Sequence, residues 1–338
     1  MKQNSYYQYT LIYLIILLFF LIIYSKNNNQ LSNNNQLSNN NQLTINSNSN
    51  NANNSNGGGC VTNKKYYPSL KSFDINNLIT NPQNIEDEKN NIKICLTFCR
   101  ITTSITCGNI LNRIKLKYKY GKKYHHIYNK FNKIIGTIVY NDNILLISWK
   151  GTILDIEYLK DIQHNTVSLI NPYIFFKDTN IKVHRGFLDY FNKSIIKINN
   201  KKYDVIAFIN NIIEENNIKY IYSTGHSMGS AISTLSTFLY SHLYNNIKVF
   251  NYGIAPPRVG NKEFTKYYNL KWNLKVKLLI NLIDLVPNMP PLGENEYKHV
   301  GLNKKNNILV FNGKQDTYLN NHMPPIYYEN IDNAVYLK

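Results

Sequence analysis

The sequence predicts an α/β fold in which a mostly parallel central sheet is covered by helices on both faces. Two observations predict it. Between residues 133 and 283, short β-rich segments alternate with helical segments, and this alternation is typical of a parallel sheet with crossover helices. About 280 residues follow a low-complexity N-terminal stretch, and that length suits one large domain.

The elements are predicted from local patterns. Strands are predicted at 133–140, 144–149, 218–223, 248–252 and 274–283. Helices are predicted at 85–99, at 187–216 with a break near Asn199-Asn200, and at 227–244. The first helix has Glu86, Asp87 and Glu88 in its first turn, where the helix dipole favours acids. Asn141-Asp142-Asn143 separates two β-rich segments and is typical of a hairpin turn.

An unbroken apolar run occupies residues 11–24, between Lys2 and Lys26. It is shorter than the roughly 20 residues of a membrane-spanning helix, and its length suits the central region of a secretory signal. We therefore predict that residues 1–25 are a signal peptide and that the protein is secreted or stays in the secretory pathway. The alternative is an uncleaved signal anchor that holds the protein on a membrane.

Asparagine dominates the next segment, in which NNNQLS repeats from residue 27 and Asn and Ser continue to Gly57-Gly58-Gly59. Such a segment has too little apolar content to offset the entropy of ordering. We predict a disordered spacer over 26–59 and a folded domain over 60–338.

The charge balance is strongly basic, with a net charge of +18 for the chain and +16 for residues 60–338. The lysines are dispersed, and there is no zinc-finger spacing and no aromatic string of the kind that stacks on RNA bases. A nucleic-acid partner is therefore not predicted. A basic surface of this kind is either simply solvated or attracted to anionic lipid.

The chain has four cysteines, Cys60, Cys95, Cys99 and Cys107. An even number in a secreted protein predicts one or two disulfides, with three possible pairings. Alternatively, Cys95 and Cys99 are two thiols on one face of a helix. No clustered histidines complete a zinc site.

The pentapeptide Gly225-His226-Ser227-Met228-Gly229 lies between a predicted strand and a predicted helix. This is the context of a nucleophile elbow, in which a tight turn holds the serine oxygen above the sheet edge. The helix that follows offers amide groups to a developing oxyanion. The plainer alternative is a glycine-flanked helix cap.

A nucleophilic serine needs a base and an acid that orients the base. Asp284 directly follows an apolar strand, whereas Asp316 and Asp332 lie in polar surroundings. The carboxyl end of a sheet strand is where such folds build their sites, so Asp284 is the predicted acid. The histidines that follow it are His299 and His322, and position in the chain favours His322.

Six elements resemble the class 3, or fungal-type, lipases, a family of α/β-hydrolases, and the resemblance covers roughly residues 92–328. They are ISWKGT (147–152), VHRGF (183–187), GHSMG (225–229), APPRVGN (255–261), DLVP (284–287) with Pro290-Pro291, and YKHVG (297–301).

The resemblance implies an α/β-hydrolase fold and a catalytic triad of Ser227, Asp284 and His322, with no metal or cofactor. It implies an oxyanion hole built from the amides of Met228 and Thr152. It argues against His299 as the base, because the family's histidine in this element is not catalytic. Lys150 stands where the family usually has arginine.

Residues 153–163 follow the predicted oxyanion threonine and alternate apolar and charged side chains at helical spacing. They predict either a lid over the serine or an ordinary surface helix. The expected function is hydrolysis of lipid esters, with a triacylglycerol lipase as the first expectation. A phospholipase A1 and a feruloyl-type esterase are alternatives, and a catalytically silent lipid-binding protein is the alternative from a different class. The expected partner is a lipid–water interface or an anionic membrane surface.

Overall fold

The computed structural model describes residues 73–151, 166–169, 180–291, 296–302, 304–313 and 318–337. The strands are β1 (Tyr124–Tyr128), β2 (Ile134–Tyr140), β3 (Ile144–Trp149), β4 (Thr166–Ser168), β5 (Lys182–His184), β6 (Ile195–Ile198), β7 (Lys201–Asp204), β8 (Tyr220–His226), β9 (Lys248–Ile254), β10 (Leu274–Asn281), β11 (Ile308–Phe311) and β12 (Val335–Tyr336). The helices are α1 (Ile85–Thr106), α2 (Ile110–Tyr120), α3 (Arg185–Asn192), α4 (Val205–Glu215), α5 (Met228–Leu243), α6 (Lys262–Leu270), α7 (Tyr318–His322) and α8 (Pro324–Asn330).

Ten of these strands form one sheet, in the order β12-β11-β10-β9-β8-β3-β2-β1-β6-β7, and β4 pairs separately with β5. The five central strands β3, β8, β9, β10 and β11 are parallel to one another, and the remaining strand pairs of the sheet are antiparallel. The α/β prediction is confirmed. Because the central strands are parallel, their carboxyl ends meet at one edge of the sheet.

The sheet has a hydrophobic core on each face. Successive side chains of a strand point to opposite faces, and in β8 Ile221 packs in the cluster that contains Ile232 of α5, whereas Tyr222 packs in the cluster that contains Leu96 of α1. Helix α5 is buried from Met228 to Ser241. The helix that follows the predicted nucleophile is therefore a central element held by the core.

Glu88 links α1 to the sheet, which is a different role from the dipole contact that its sequence position predicts. Its carboxylate accepts a hydrogen bond from the Tyr252 hydroxyl at 2.7 Å and pairs with Lys277 Nζ at 3.0 Å. The side chain is buried, so the ion pair satisfies a charge that would be costly to leave alone.

The predicted helix over 187–216 is wrong in its middle. Helix α3 ends at Asn192, and β6 and β7 then form an antiparallel hairpin before α4 begins. Asn199 and Asn200 have φ values of 48° and 64°, which is the backbone of a type I′ hairpin turn, and asparagine tolerates it well. The Asn-Asn break is therefore a hairpin turn, which the helical interpretation missed.

Several predictions fall outside the described residues: the signal or anchor at 1–25, the spacer at 26–59, Thr152 and the lid at 153–163. The described ranges contain no helix with the length and hydropathy of a membrane span. Cys95 and Cys99 are buried free thiols on α1, as the alternative interpretation expected. The remaining pairing joins Cys107 to Cys60, which also lies outside the described residues, so that disulfide stays a prediction.

Candidate active site

Ser227 occupies the turn between β8 and α5 with φ 59° and ψ −129°. A positive φ is strained for a residue with a side chain, and the surrounding structure holds it in place. Its N–H donates to the Ile254 carbonyl at 2.9 Å, and its own carbonyl accepts from the Ser230 N–H at 2.9 Å. Ser227 thus has the backbone of a nucleophile elbow, at the carboxyl edge of the sheet.

The glycines of the pentapeptide are required by close backbone contacts. A Cβ on Gly225 would lie 2.1 Å from the Gly229 carbonyl carbon, and a Cβ on Gly229 would lie 2.2 Å from the Trp149 carbonyl oxygen. Gly151 is equally confined, because its Cβ would lie 2.4 Å from the His226 carbonyl oxygen. The turn, the start of α5 and the end of β3 therefore touch through their backbones.

Asp284 and His322 are brought together although 38 residues separate them. Asp284 follows β10, and His322 ends α7. Nδ1 of His322 lies 2.6 Å from Oδ2 of Asp284. Both residues are buried, with 2% of His322 and 1% of Asp284 exposed. The carboxylate accepts, so the proton sits on Nδ1. This tautomer leaves the lone pair on Nε2, and that buried atom has no hydrogen-bond partner within the described residues.

Two further donors fix the Asp284 carboxylate. Oδ1 accepts from the Val286 N–H at 2.9 Å, and Oδ2 also accepts from the Tyr327 hydroxyl at 2.6 Å. Burial and the Asp284 charge raise the pKa of Tyr327 well above its usual value, so the phenol keeps its proton and donates it. The Tyr327 oxygen in turn accepts from the Asn281 N–H at 3.2 Å.

Asn281 anchors the segment that leads to His322. Its side-chain amide donates to the carbonyls of Gly313 and Asn321, at 2.9 and 3.0 Å, and its oxygen accepts from the Gly313 N–H at 3.2 Å. Sequence reasoning missed the roles of Asn281 and Tyr327. An amide at the last position of an apolar strand was the available signal for Asn281.

His226, the residue before Ser227, contacts His322 directly. Its Nε2–H donates to the His322 carbonyl at 2.7 Å, and the centroids of the two rings are 4.6 Å apart. Burial and the neighbouring His322 lower the pKa of His226 well below its usual value, so the ring is neutral. This contact places His322 beside the elbow, a role of His226 that no sequence pattern predicted.

His299 does not contact the Asp284 carboxylate. Its Nε2–H donates to the Pro287 carbonyl at 2.6 Å, and burial lowers its pKa to about 4. Arg258 donates to the carbonyls of Asn288 and Pro290. These two side chains hold the loop after Asp284, which is a structural task.

The predicted oxyanion donors are only partly described. Met228 is the first residue of α5, at the positive end of the helix dipole. Thr152 lies outside the described residues, although Gly151 before it packs against the elbow. Lys150 is half-buried, and burial together with the charge of Lys133 lowers its pKa.

Of the other residues noted in the sequence, His184 and Asp332 make contacts that stabilise the fold. Nδ1 of His184 accepts from the Phe187 N–H at 3.3 Å and caps α3. Asp332 pairs at the surface with Lys93 at 2.6 Å, whereas Asp316 lies outside the described residues.

The chain resembles known proteins over the region that holds Ser227 and Asp284. Residues 146–294 match the family model of Lipase (class 3). Phospholipase A1-IIgamma of Arabidopsis thaliana is 26% identical over 178 residues, which are 48% of this chain and 42% of that protein. Phospholipase A1-II 3 of Oryza sativa subsp. japonica is 28% identical over 205 residues, which are 56% of this chain and 47% of that protein. The chain thus spans less than half the length of these curated relatives.

Solved structures with a similar chain path include lipases of fungi. A Rhizomucor miehei lipase propeptide complex aligns with a TM-score of 0.49 at 16% identity, over 67% of each chain. A triacylglycerol lipase from Penicillium expansum aligns with a TM-score of 0.47 at 14% identity, over 63% of this chain and 72% of that one.

Proposed function

We propose that the chain, whose residues 146–294 match the class 3 lipase family, is a serine hydrolase that cleaves carboxylic esters of lipids. One observation carries the proposal. The strained serine of the elbow directly follows His226, whose ring centroid lies 4.6 Å from that of His322. Nδ1 of His322 is held by a buried carboxylate, and its Nε2 is buried without a partner among the described residues. A histidine oriented in this way can take the proton of a serine hydroxyl and so make it nucleophilic.

The proposed reaction proceeds through an acyl-enzyme. Nε2 of His322 takes the proton of Ser227 as Oγ attacks the ester carbonyl, and Asp284 stabilises the imidazolium that forms. The amide of Met228, together with that of Thr152, stabilises the oxyanion, and loss of one such donor typically costs about 3–4 kcal/mol. The imidazolium then protonates the leaving alcohol, and water repeats the sequence to release the acid.

Two features favour a lipid as the ester. Leu282 and Leu285 flank Asp284 and are exposed by 56% and 36%, which offers apolar surface beside the site. Ser227 itself is 1% exposed, so a long ester reaches it only after some covering part moves. Residues 153–163 remain the segment we propose as that lid.

The phospholipase A1 alternative gains support from the names of the curated relatives, whereas a triacylglycerol lipase was the first expectation from the sequence. The test is hydrolysis of a phospholipid with distinguishable acyl chains, compared with a triacylglycerol emulsion. Release from the sn-1 position would favour a phospholipase A1. Activity on the emulsion alone would favour the triacylglycerol lipase, and activity on feruloyl esters alone would favour the third alternative.

The matched variants are Ser227→Ala and Ser236→Ala. Ser236 lies on the same helix, and its buried hydroxyl has no hydrogen-bond partner within the described residues, so its loss is expected to leave folding and activity nearly unchanged. Abolished hydrolysis in the first variant alone supports the mechanism. A folded wild type that binds these lipids without hydrolysing any would instead favour the lipid-binding alternative.

We also propose that the protein enters the secretory pathway and works at a lipid–water interface or an anionic membrane surface. The apolar run at 11–24 and the net charge of +18 motivate this. Mass spectrometry of the mature N-terminus tests it: a start near Lys26 indicates cleavage, and an intact N-terminus in a membrane fraction indicates an anchor.

A further inference from the structure

Helix α2 presents an exposed apolar stripe made of Ile110, Leu111, Ile114 and Tyr118. Their exposed fractions are 67%, 68%, 57% and 93%. With about 100° of rotation per residue, the four lie within roughly one third of the helix circumference. Large apolar side chains grouped on one exposed face usually mark a contact surface.

The opposite face of α2 is attached to the rest of the protein. Leu116 is fully buried, and the Asn112 amide donates to the Ser104 hydroxyl of α1 at 2.7 Å. Asn109 caps the helix through a hydrogen bond to the Asn112 N–H. The stripe is therefore presented by a helix whose orientation is fixed.

Basic residues border the stripe on both sides. By the same rotation, Lys115 lies along one border and Lys117 along the other, and the segment 108–123 contains no acid. Lys119 pairs with Asp74 at 2.9 Å, whereas no ion pair to Lys115 or Lys117 occurs among the described residues. An apolar face between lysines is the pattern of a helix that lies in a lipid interface.

We infer that this stripe docks the protein on an anionic phospholipid surface, with the four apolar side chains in the acyl boundary and Lys115 and Lys117 at the headgroups. Charge argues against two other occupants. Residues 1–72 contain no acidic residue, and a second copy of a chain with net charge +18 would be repelled. The inference rests on the proposed lipid-ester activity, which requires the protein to reach such a surface.

The test uses the full chain with a local reporter, because the apolar run at 11–24 is itself expected to enter vesicles. Tyr118→Trp is made in a Trp272→Phe background, which leaves the buried Trp149. The matched reporter is Val335→Trp, which is also exposed, by 59%, but belongs to the far edge strand β12. Phospholipids with brominated chains quench only a tryptophan that enters the acyl boundary.

The expected result is quenching of the Tyr118→Trp reporter on vesicles of phosphatidylcholine mixed with phosphatidylglycerol, with little on phosphatidylcholine alone and none with the Val335→Trp reporter. Adding Lys115→Gln and Lys117→Gln should raise the lipid concentration for half-maximal quenching about tenfold to thirtyfold at low salt.

Absence of quenching at Tyr118→Trp, or equal quenching of both reporters, would overturn the inference. Hydrolysis of a short soluble ester is measured on the same samples. Quenching without hydrolysis would reject the enzyme and keep the surface, whereas hydrolysis without quenching would do the reverse.

Discussion

Replacing Tyr327 by phenylalanine tests whether the buried phenol positions the Asp284 carboxylate. The change removes a hydrogen bond of 2.6 Å to Oδ2 and leaves the Asn281 N–H without its acceptor at 3.2 Å. A hydrogen bond to a charged group contributes about 1.5–3 kcal/mol, and an unsatisfied buried donor costs about 1–3 kcal/mol. We expect the free energy of unfolding to fall by a total of about 3–6 kcal/mol.

The effect on catalysis follows from the same bond. The carboxylate retains the Val286 N–H and the His322 Nδ1–H but can rotate more freely. If about half of the lost hydrogen-bond energy is needed in the transition state, kcat falls about fourfold to twelvefold. KM should stay nearly constant, since Tyr327 is fully buried behind Asp284.

The control is Tyr222→Phe. Tyr222 is also fully buried, and its hydroxyl donates to the Ile79 carbonyl at 3.1 Å, away from the triad. Urea unfolding gives stability, and hydrolysis of a dissolved p-nitrophenyl ester gives kcat and KM. Tyr222→Phe should lower the free energy of unfolding and leave kcat and KM unchanged. If Tyr327→Phe loses stability as expected but keeps its kcat, the phenol is structural only and the positioning argument fails.

Three further predictions follow from individual contacts. Gly229→Ala places a Cβ 2.2 Å from the Trp149 carbonyl oxygen, so we expect a loss of about 3 kcal/mol; an unchanged Tm would contradict this. Burial lowers the pKa of His299 to about 4 in the folded protein, against about 6.5 in the unfolded chain. As the pH falls, the unfolded chain therefore takes up the proton first, and the free energy of unfolding decreases by up to about 3 kcal/mol between pH 6.5 and 4. The urea unfolding midpoint should therefore differ less between pH 7 and pH 5 in His299→Gln than in the wild type. An equal difference in the two proteins would reject this prediction. His226 donates to the His322 carbonyl at 2.7 Å, so His226→Leu should lower kcat about tenfold and His226→Gln, which keeps an N–H donor, should restore part of it; equal kcat values for the two variants would speak against a donor role.

The sequence predicted most central strands because each has a local signal. β2, β3, β9 and β10 occur where apolar and β-branched residues cluster. The hairpin of β6 and β7 was missed, since short isoleucine-rich segments suit a helix or a strand equally well, and pairing with β1 decides between them. Helix α2 was not predicted because its apolar residues do not form one buried stripe: Leu116 is buried, whereas Ile110 and Ile114 are exposed.

The parts of the candidate site that depend on neighbours in the chain could be predicted from the amino-acid sequence. Gly225, Ser227 and Gly229 lie within five consecutive residues, so their strand–turn–helix context was readable, and Asp284 was placed by the strand that precedes it. Position in the chain favoured His322 over His299, but the contacts of the Asp284 carboxylate are visible only in the folded protein. The order of strands in the sheet brings loops 38 residues apart to one edge, where His322 and Tyr327 converge on Asp284 and His299 turns to Pro287. Those contacts depend on packing between distant segments, which spacing along a chain does not encode.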